Sequence, residues 1–599
     1  MRRILAPVIA LLALAPLPFT GCGEDRLLRA KQIETSFELV GGPVAMANVG
    51  DFLLENDQIR VAVLGARHSP GPGVFGGSLV DADLRRGDIR FAEGQGRDRF
   101  AETFPIANLL VPDPETTEVT VINDGSGGEE ARIRVEGEGA FLFEALTILR
   151  RQKDLLGLLF NGLKPSMRFV TDYVLRPGDR FVTLETTLIL PAPENCPKTI
   201  ACDKTCEHGL KLGGNGCLTC ECEEPLPLGT YTGPADIFLG ILGDDQPVGD
   251  DLRGGVVAGD FVFFGNQNDI FGPGMGFDEE KTVFDAIFAK QDTFKQPLSF
   301  DFVAASGGDV SYGYFNEPPA AGQGPTRINV PVFTSAATAF LTAGVNCKAD
   351  TADDQACDVK QSFTYKRYFA VGEGDIASIA EIYAKTRGAP TGTLTGNVLW
   401  ASTGQPSPNA QIFLFNDPST DKTAELPWKS VDELAEANIN AIGNVGLLNV
   451  IDADRGIDKV EDGDFAAVVQ AGDYIAVVRN EEGTTTTAPT RVRVEAGAET
   501  RFLPALPSPA TVRYRVVDDT GQLVPAKLTF IALDEAGKPY ERDGVRRVYM
   551  GVSRLGNGIR AIEYAATGEG EVMVEPGRYR VLVTRGIEYG RAEIADLTL

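Results

Sequence analysis

Apolar and polar residues alternate in short runs along most of this chain. Gln58-Ile59-Arg60-Val61-Ala62-Val63, Glu118-Val119-Thr120-Val121, Arg132-Ile133-Arg134-Val135 and Val182-Thr183-Leu184-Glu185-Thr186 all follow this pattern. A period of two belongs to strands that turn one face toward a core. Turn sequences such as Asn123-Asp124-Gly125 and Pro177-Gly178-Asp179 sit beside these runs, as hairpin chemistry requires. The strand pattern continues to Phe363–Val371. A helix is predicted next, over Asp375–Lys385, where Ile376, Ile379 and Tyr383 share a face and Gly388 follows as a stop. Helical periodicity is otherwise scarce. The fold expected is mostly β, with a large N-terminal β-sandwich over residues 35–388.

Residues 390–599 repeat themselves. The first copy opens at Gly396-Asn397-Val398-Leu399-Trp400 and closes at Val469-Gln470-Ala471-Gly472-Asp473-Tyr474-Ile475-Ala476-Val477. The second opens at Val512-Arg513-Tyr514-Arg515-Val516 and closes at Val574-Glu575-Pro576-Gly577-Arg578-Tyr579-Arg580-Val581. Each closing phrase reads as strand, glycine turn, then strand with an inward tyrosine, so each copy is expected to be a small two-sheet sandwich. The boundaries expected are 390–502 and 508–599, with a proline-rich joint from Leu503 to Pro509. The first copy carries an insertion with a helix predicted over Val431–Ala441, started by a capping box of Ser430 and Glu433. Both copies resemble carboxypeptidase-regulatory or transthyretin-like β-sandwich modules. The long region before them, through Val121-Ile122-Asn123-Asp124-Gly125 and Tyr173-Val174-Leu175-Arg176-Pro177-Gly178, resembles the large sandwiches of the galactose-mutarotase type.

The opening residues change the picture from fold to location. Arg2 and Arg3 precede an apolar stretch from Ile4 to Phe19, broken by Pro7, Pro16 and Pro18, and then Thr20-Gly21-Cys22. This is a secretory layout with small residues before a cleavage point. It resembles a bacterial lipoprotein signal, in which the cysteine is acylated and becomes the new N-terminus; Phe19 stands where such signals usually carry leucine. The resemblance implies a signal peptide over 1–21, lipid attachment at Cys22, a polar tether over 22–34, and a place in the cell envelope. The leader is too short and proline-broken for a membrane span of about 20 apolar residues, and Leu155–Leu163 is shorter still.

Net charge is −28 over 599 residues, which argues against nucleic acid and against anionic membrane surfaces as partners. Nine cysteines are present. Setting Cys22 aside leaves Cys196, Cys202, Cys206, Cys217, Cys220, Cys222, Cys347 and Cys357, an even set that reads as four disulfides in an oxidising compartment. A zinc site is the other reading of Cys217-x2-Cys220. The spacing from Cys202 to Cys222, with Cys196 upstream, resembles the antistasin-like disulfide fold of small protease inhibitors, here as an insertion over 195–224. That resemblance implies an inhibitory loop at Asp203 and Lys204. A trypsin-like pocket rejects Asp203 on charge, so a disulfide-stabilised hairpin is the plainer reading.

No catalytic set emerges. The two histidines, His68 and His208, lie in unrelated contexts, which leaves a two-metal site or a Ser-His-Asp triad without partners. Gly71-Pro72-Gly73-Val74-Phe75-Gly76 lacks the strand and helix that a nucleotide loop needs. Arg86-Gly87-Asp88 reads as a turn. The loop Asp452-Ala453-Asp454-Arg455-Gly456-Ile457-Asp458 departs from the calcium-loop pattern at Ile457 and Gly463. Thr484–Thr487 reads as a solvated hairpin tip. The C-terminal phrase from Gly577 to Tyr589 resembles the region before the catalytic domain of CehA/McbA-like PHP-domain metallohydrolases, without the His-rich domain itself. Carboxylate-only chemistry stays open because acids are abundant, but the sequence leans away from an enzyme and points to an exported, lipid-anchored binding or scaffold protein with no cofactor and no metal. Its expected partners are the membrane, through the anchor, and a polysaccharide or an envelope protein. The alternatives are an accessory region of a PHP-type hydrolase and a protease inhibitor.

Overall fold

The computed structural model describes residues 27–71, 76–87, 94–107, 110–141, 167–189, 210–212, 218–222, 256–265, 267–277, 298–319, 327–332, 338–345, 362–431, 434, 446–455, 460–481, 483–533, 536–539, 559–587 and 589–599. The chain is mostly β. Its first part is a two-sheet sandwich built from antiparallel pairs. One sheet runs in the order Leu28–Gln32, Phe52–Asn56, Ile59–Val63, Leu79–Leu84, Glu102–Ala107, Val256–Phe263, Thr338–Val345, Ile328–Val332 and Leu298–Phe300. The other runs Glu118–Asp124, Ala131–Phe141, Arg168–Leu175, Phe181–Ile189, Ser362–Gly372, Ser311–Asn316, Val303–Ser306, Asp269–Gly272 and Gly276–Phe277. Between them lies a core that includes Val61, Leu79, Phe100, Tyr173, Leu184, Phe264, Tyr312 and Phe369. Phe100 touches the rings of Tyr312 and Phe369 at centroid distances of 5.3 and 4.7 Å.

The tether expected over 22–34 is shorter than the sequence reading had it. Leu28–Gln32 is the edge strand of the first sheet, paired with Phe52–Asn56. Leu28 and Ala30 are buried in the sandwich core, so this polar-looking stretch carries the same period-two apolar pattern as the strands that follow it.

Residues 33–47 then cross the outer face of the same sheet. Ile33 and Val40 pack on Leu53, Ala62, Leu64 and Val80. The strap closes backbone to backbone: a Cβ on Gly41 would stand 1.8 Å from the Gly94 carbonyl oxygen, so only glycine fits. This cover explains why alternation fails locally. In Ile59–Val63 four of five residues are buried, because both faces of the strand are enclosed.

The helix is Ile376–Thr386. Asp375 caps it by accepting from the Ser378 amide at 2.9 Å. Gly388, at φ +61, lets the chain leave. Ile376, Ile379 and Ile382 pack into the sandwich core, while Ala377 joins the core of the next unit.

Two small β-sandwiches follow. The first sets Leu447–Asp452, Gln411–Asn416, Gly472–Arg479 and Thr490–Val494 against Asp464–Gln470, Thr391–Asn397 and Glu499–Phe502. The second sets Ile559–Ala565, Ala526–Ala532, Arg578–Thr584 and Ala592–Thr598 against the pair Ala510–Arg515 and Glu569–Val574. The closing phrases superpose chemically. The Tyr474 hydroxyl donates to the Gln470 carbonyl at 2.6 Å, and the Tyr579 hydroxyl to the Glu575 carbonyl at 2.7 Å. Each is a tyrosine corner that ties the ring into its own core.

The first small sandwich uses both faces of its four-stranded sheet. Ile412, Leu414 and Ala476 face its own core. Phe413, Phe415, Ile475 and Val477 continue the core of the large sandwich, with Phe271, Phe277 and Phe302. The Gly274 amide donates to the Leu447 carbonyl at 2.8 Å across the joint.

Candidate functional site

Inside the large sandwich a buried ion pair ties the two sheets. Asp260, on one sheet, faces Arg367, on the other, and both side chains are wholly buried. Arg367 Nε and Nη2 donate to the two Asp260 oxygens at 2.8 and 2.5 Å, and Nη1 reaches the Leu184 carbonyl at 3.1 Å and Thr186 Oγ1 at 2.6 Å. The Tyr314 hydroxyl donates to Asp260 as well. The Arg367 guanidinium lies over the Tyr365 ring, 4.6 Å from its centroid. Burial works against the charged guanidinium, and the Asp260 carboxylate outweighs it, so the Arg367 pKa is raised. Burial pushes Asp260 up against the pull of Arg367. Every polar atom faces a partner that fixes it, which makes the cluster a tie between sheets and leaves no group poised to attack or move a proton.

Beside it is a small cavity of about 10 Å³, lined in part by Phe104, Pro105, Val135, Phe169, Thr171 and Tyr173. Its hydroxyls are engaged: Thr171 shares a hydrogen bond with Thr186 at 2.9 Å, and Tyr173 donates to the Gly77 carbonyl at 2.9 Å. Among the described residues no group of three His, Cys, Asp or Glu is placed to hold a metal ion.

The outer face of the first sheet carries three features. Phe104, Phe261 and Phe263 lie side by side, with centroids 5.6–6.2 Å apart and planes within 31°. Phe104 is buried and packs with Ile106 and Val111, while Phe261 and Phe263 are half-buried. Under the strap, Asp81 accepts from the Met46 and Ala47 amides at 2.7 and 3.2 Å, and burial pushes its pKa up to about 6. Asp98 accepts from the Ala82 and Phe100 amides; burial, then the charge of Asp81, holds it well above the usual range. At the edge, Glu55 is buried beneath three arginines. Arg29 donates to it, as do Arg60 Nε at 2.9 Å and Arg85 Nη1 at 3.0 Å.

The sequence-derived positions divide as follows. Cys22, Asp203, Lys204, His208, Cys196, Cys202, Cys206, Cys217, Cys347 and Cys357 lie outside the described residues. Within the cysteine-rich insertion, Leu210–Leu212 pairs with Leu218–Cys222 as a hairpin, and Cys220 is disulfide-bonded. Glu433 and most of the helix predicted over Val431–Ala441 also lie outside; the Leu434 amide does bond back to the Ser430 carbonyl at 3.1 Å. Arg86 of the Arg-Gly-Asp turn is committed to Asp83 at 2.8 Å and is 7% exposed. In the acidic loop, Asp454 accepts from the amides of Asn409, Asp462 and Gly463, and Arg455 turns away to Asp375 at 2.7 Å.

Thr484–Thr487 is not a solvated tip. Thr485 is buried and donates to the Pro507 carbonyl at 3.0 Å, and Thr486 donates to Glu575 at 2.6 Å. The run joins the two small sandwiches, which its threonine-rich composition does not reveal. Sequence reasoning also missed the Asp260–Arg367 tie and the arginines on Glu55. Glu55 and Arg60 sit at polar positions of alternating strands, and only the register Arg29↔Glu55↔Arg60 places them in one row.

The Antistasin family model matches residues 196–222. No curated protein matches the chain. Among solved structures, an alpha-mannosidase from Enterococcus faecalis V583 aligns with 56% of this chain at 11% identity and a TM-score of 0.27, so the chain spans 31% of that protein. The Streptococcal ancillary pilin aligns with 55% of this chain and 87% of its own, at 11% identity and a TM-score of 0.19. A DUF3823 family protein from Parabacteroides merdae ATCC 43184 aligns with 33% and 92%, at 13% identity and a TM-score of 0.13. At these scores the three likenesses carry no assignment of fold or function. No helix among the described residues is long and apolar enough to cross a membrane.

Proposed function

We propose that this chain is a lipid-anchored, extracytoplasmic scaffold that presents surfaces to an envelope protein. The observation that carries this reading is the continuous core from the large sandwich into the first small one, through Phe271, Phe277, Phe413 and Phe415. A core shared across a joint resists hinge motion, so the large sandwich and the first small sandwich are held as one body. Cys22 is the proposed attachment point, and Cys196, Cys202, Cys206, Cys217, Cys220, Cys222, Cys347 and Cys357 the proposed disulfide set. The test is cross-linking on intact cells with a membrane-impermeant reagent, followed by mass spectrometry. The expected result is adducts between lysines of this chain and a second envelope protein. Adducts confined to cytoplasmic proteins would overturn the reading.

One observation favours a second reading, polysaccharide binding: the nearly parallel rings of Phe104, Phe261 and Phe263. A flat apolar surface of this kind suits the face of a sugar ring. A glycan array separates the two readings. Signal lost on Phe261→Ala selects polysaccharide, and a blank array selects the protein partner. The accessory-hydrolase reading draws on the C-terminal phrase from Gly577 to Tyr589 with the modules before it, and stands or falls with a genomic sequence encoding His-x-His downstream.

A further inference from the structure

The row Arg29, Glu55, Arg60 on adjacent strands, with Arg85 reaching in, carries more positive charge than its acid needs. One arginine neutralises Glu55; three surround it. Arg60 spends its remaining donors on the carbonyls of Glu38 and Leu39. Arg29 and Arg85 are different: their side chains are 42% and 40% exposed, while Glu55 is 1% exposed. Their guanidiniums are therefore held by a buried carboxylate and still face solvent with unspent N–H groups, the fork that suits a phosphate. The neighbouring charges are paired among themselves. Lys31 answers Glu38 at 2.8 Å and Glu34 at 3.7 Å, and Arg86 answers Asp83.

Chain length says what lies opposite. Leu28 begins the first strand six residues after Cys22, a reach of about 20 Å at full extension. We infer that Arg29 and Arg85 form a contact site for the phosphates of membrane lipid headgroups, engaged when the chain is anchored. This rests on the lipid-anchored reading above. The net charge of −28 opposes approach from a distance, but salt screens it beyond about 8–10 Å. The acyl chains supply the approach, and the local surplus then decides which face of the sandwich meets the bilayer.

Arginine labelling with phenylglyoxal, read peptide by peptide, tests this on the full mature chain. The chain is placed in vesicles containing phosphatidylglycerol, in vesicles of phosphatidylcholine, and in detergent with and without inorganic phosphate. Where Cys22 carries no natural acyl group, it is coupled to a maleimide lipid, so the site is tested whether or not the anchor reading holds. Arg29 and Arg85 are expected to react roughly tenfold more slowly in vesicles than in plain detergent, most strongly with phosphatidylglycerol. Arg168 and Arg513, at 49% and 83% exposure, serve as controls and keep their rates. Protection by inorganic phosphate in detergent, with none added by vesicles, would assign the site to a free anion and overturn the membrane contact. Equal labelling of all four arginines in every condition would remove the site altogether.

Discussion

Arg367 reaches across the sandwich to Asp260 with two parallel hydrogen bonds, and neither residue touches solvent. Breaking such a pair from one side leaves a buried charge. Asp260→Leu is expected to destabilise the protein by about 3–5 kcal/mol, because a guanidinium cannot shed its proton. Arg367→Met is expected to cost less, since a lone Asp260 takes up a proton and keeps Tyr314. The double variant is expected to recover most of the loss. Urea unfolding of the three variants checks this order.

The two tyrosine corners give a matched pair. Tyr474→Phe and Tyr579→Phe each remove one hydroxyl bond to a backbone carbonyl four residues back, worth about 1 kcal/mol. Their readouts differ. The first small sandwich shares its core with the large one, so Tyr474→Phe is expected to shift the main calorimetric transition. The second has a separate core around Leu528, Phe530 and Tyr579, so Tyr579→Phe is expected to lower a distinct, smaller transition.

The fold class and the repeat were legible because period-two alternation and a repeated glycine–tyrosine phrase are local signals. Asp375, Ile376, Ile379 and Gly388 marked the helix for the same reason. What stayed hidden depends on covering and register. Asp81 and Asp98 lie under the strap over residues 33–47, which reaches them through the Met46 and Ala47 amides and the Val44 amide, and Glu55 lies beneath three arginines that strand register gathers. Leu28–Gln32 looked like tether because three of its five residues are polar. Thr485 and Thr486 read as solvent-facing until the second small sandwich is placed against them.

Stability should fall as pH rises toward neutrality. Burial, then the charge of Asp375, pushes Asp452 up to about 7 from an ordinary value of 3.8. An acid raised on folding binds more protons in the native state between those values, so the native state loses stability as pH climbs from 3.8 through 7. Asp81, raised to about 6, acts in the same direction. Unfolding free energies from urea titrations at pH 5 and pH 8 are expected to differ by about 1–2 kcal/mol in favour of pH 5. Asp452→Asn should remove part of that slope; an unchanged slope would remove Asp452 from the account.

The antistasin-like insertion yields a negative prediction. The antistasin resemblance would put Asp203 at the position that enters a trypsin-like pocket, so titration of trypsin-like proteases should show no inhibition by the natural chain. Stoichiometric inhibition would restore the inhibitor reading.

The central claim is that residue 22 leaves the cytoplasm and carries fatty chains. Mass spectrometry of the N-terminal peptide from membrane and soluble fractions tests it most directly. The expected species begins at Cys22 with a diacylglyceryl mass added and partitions with the membrane. An unprocessed chain beginning at Met1, recovered from the cytosol with all nine thiols free, would contradict the account.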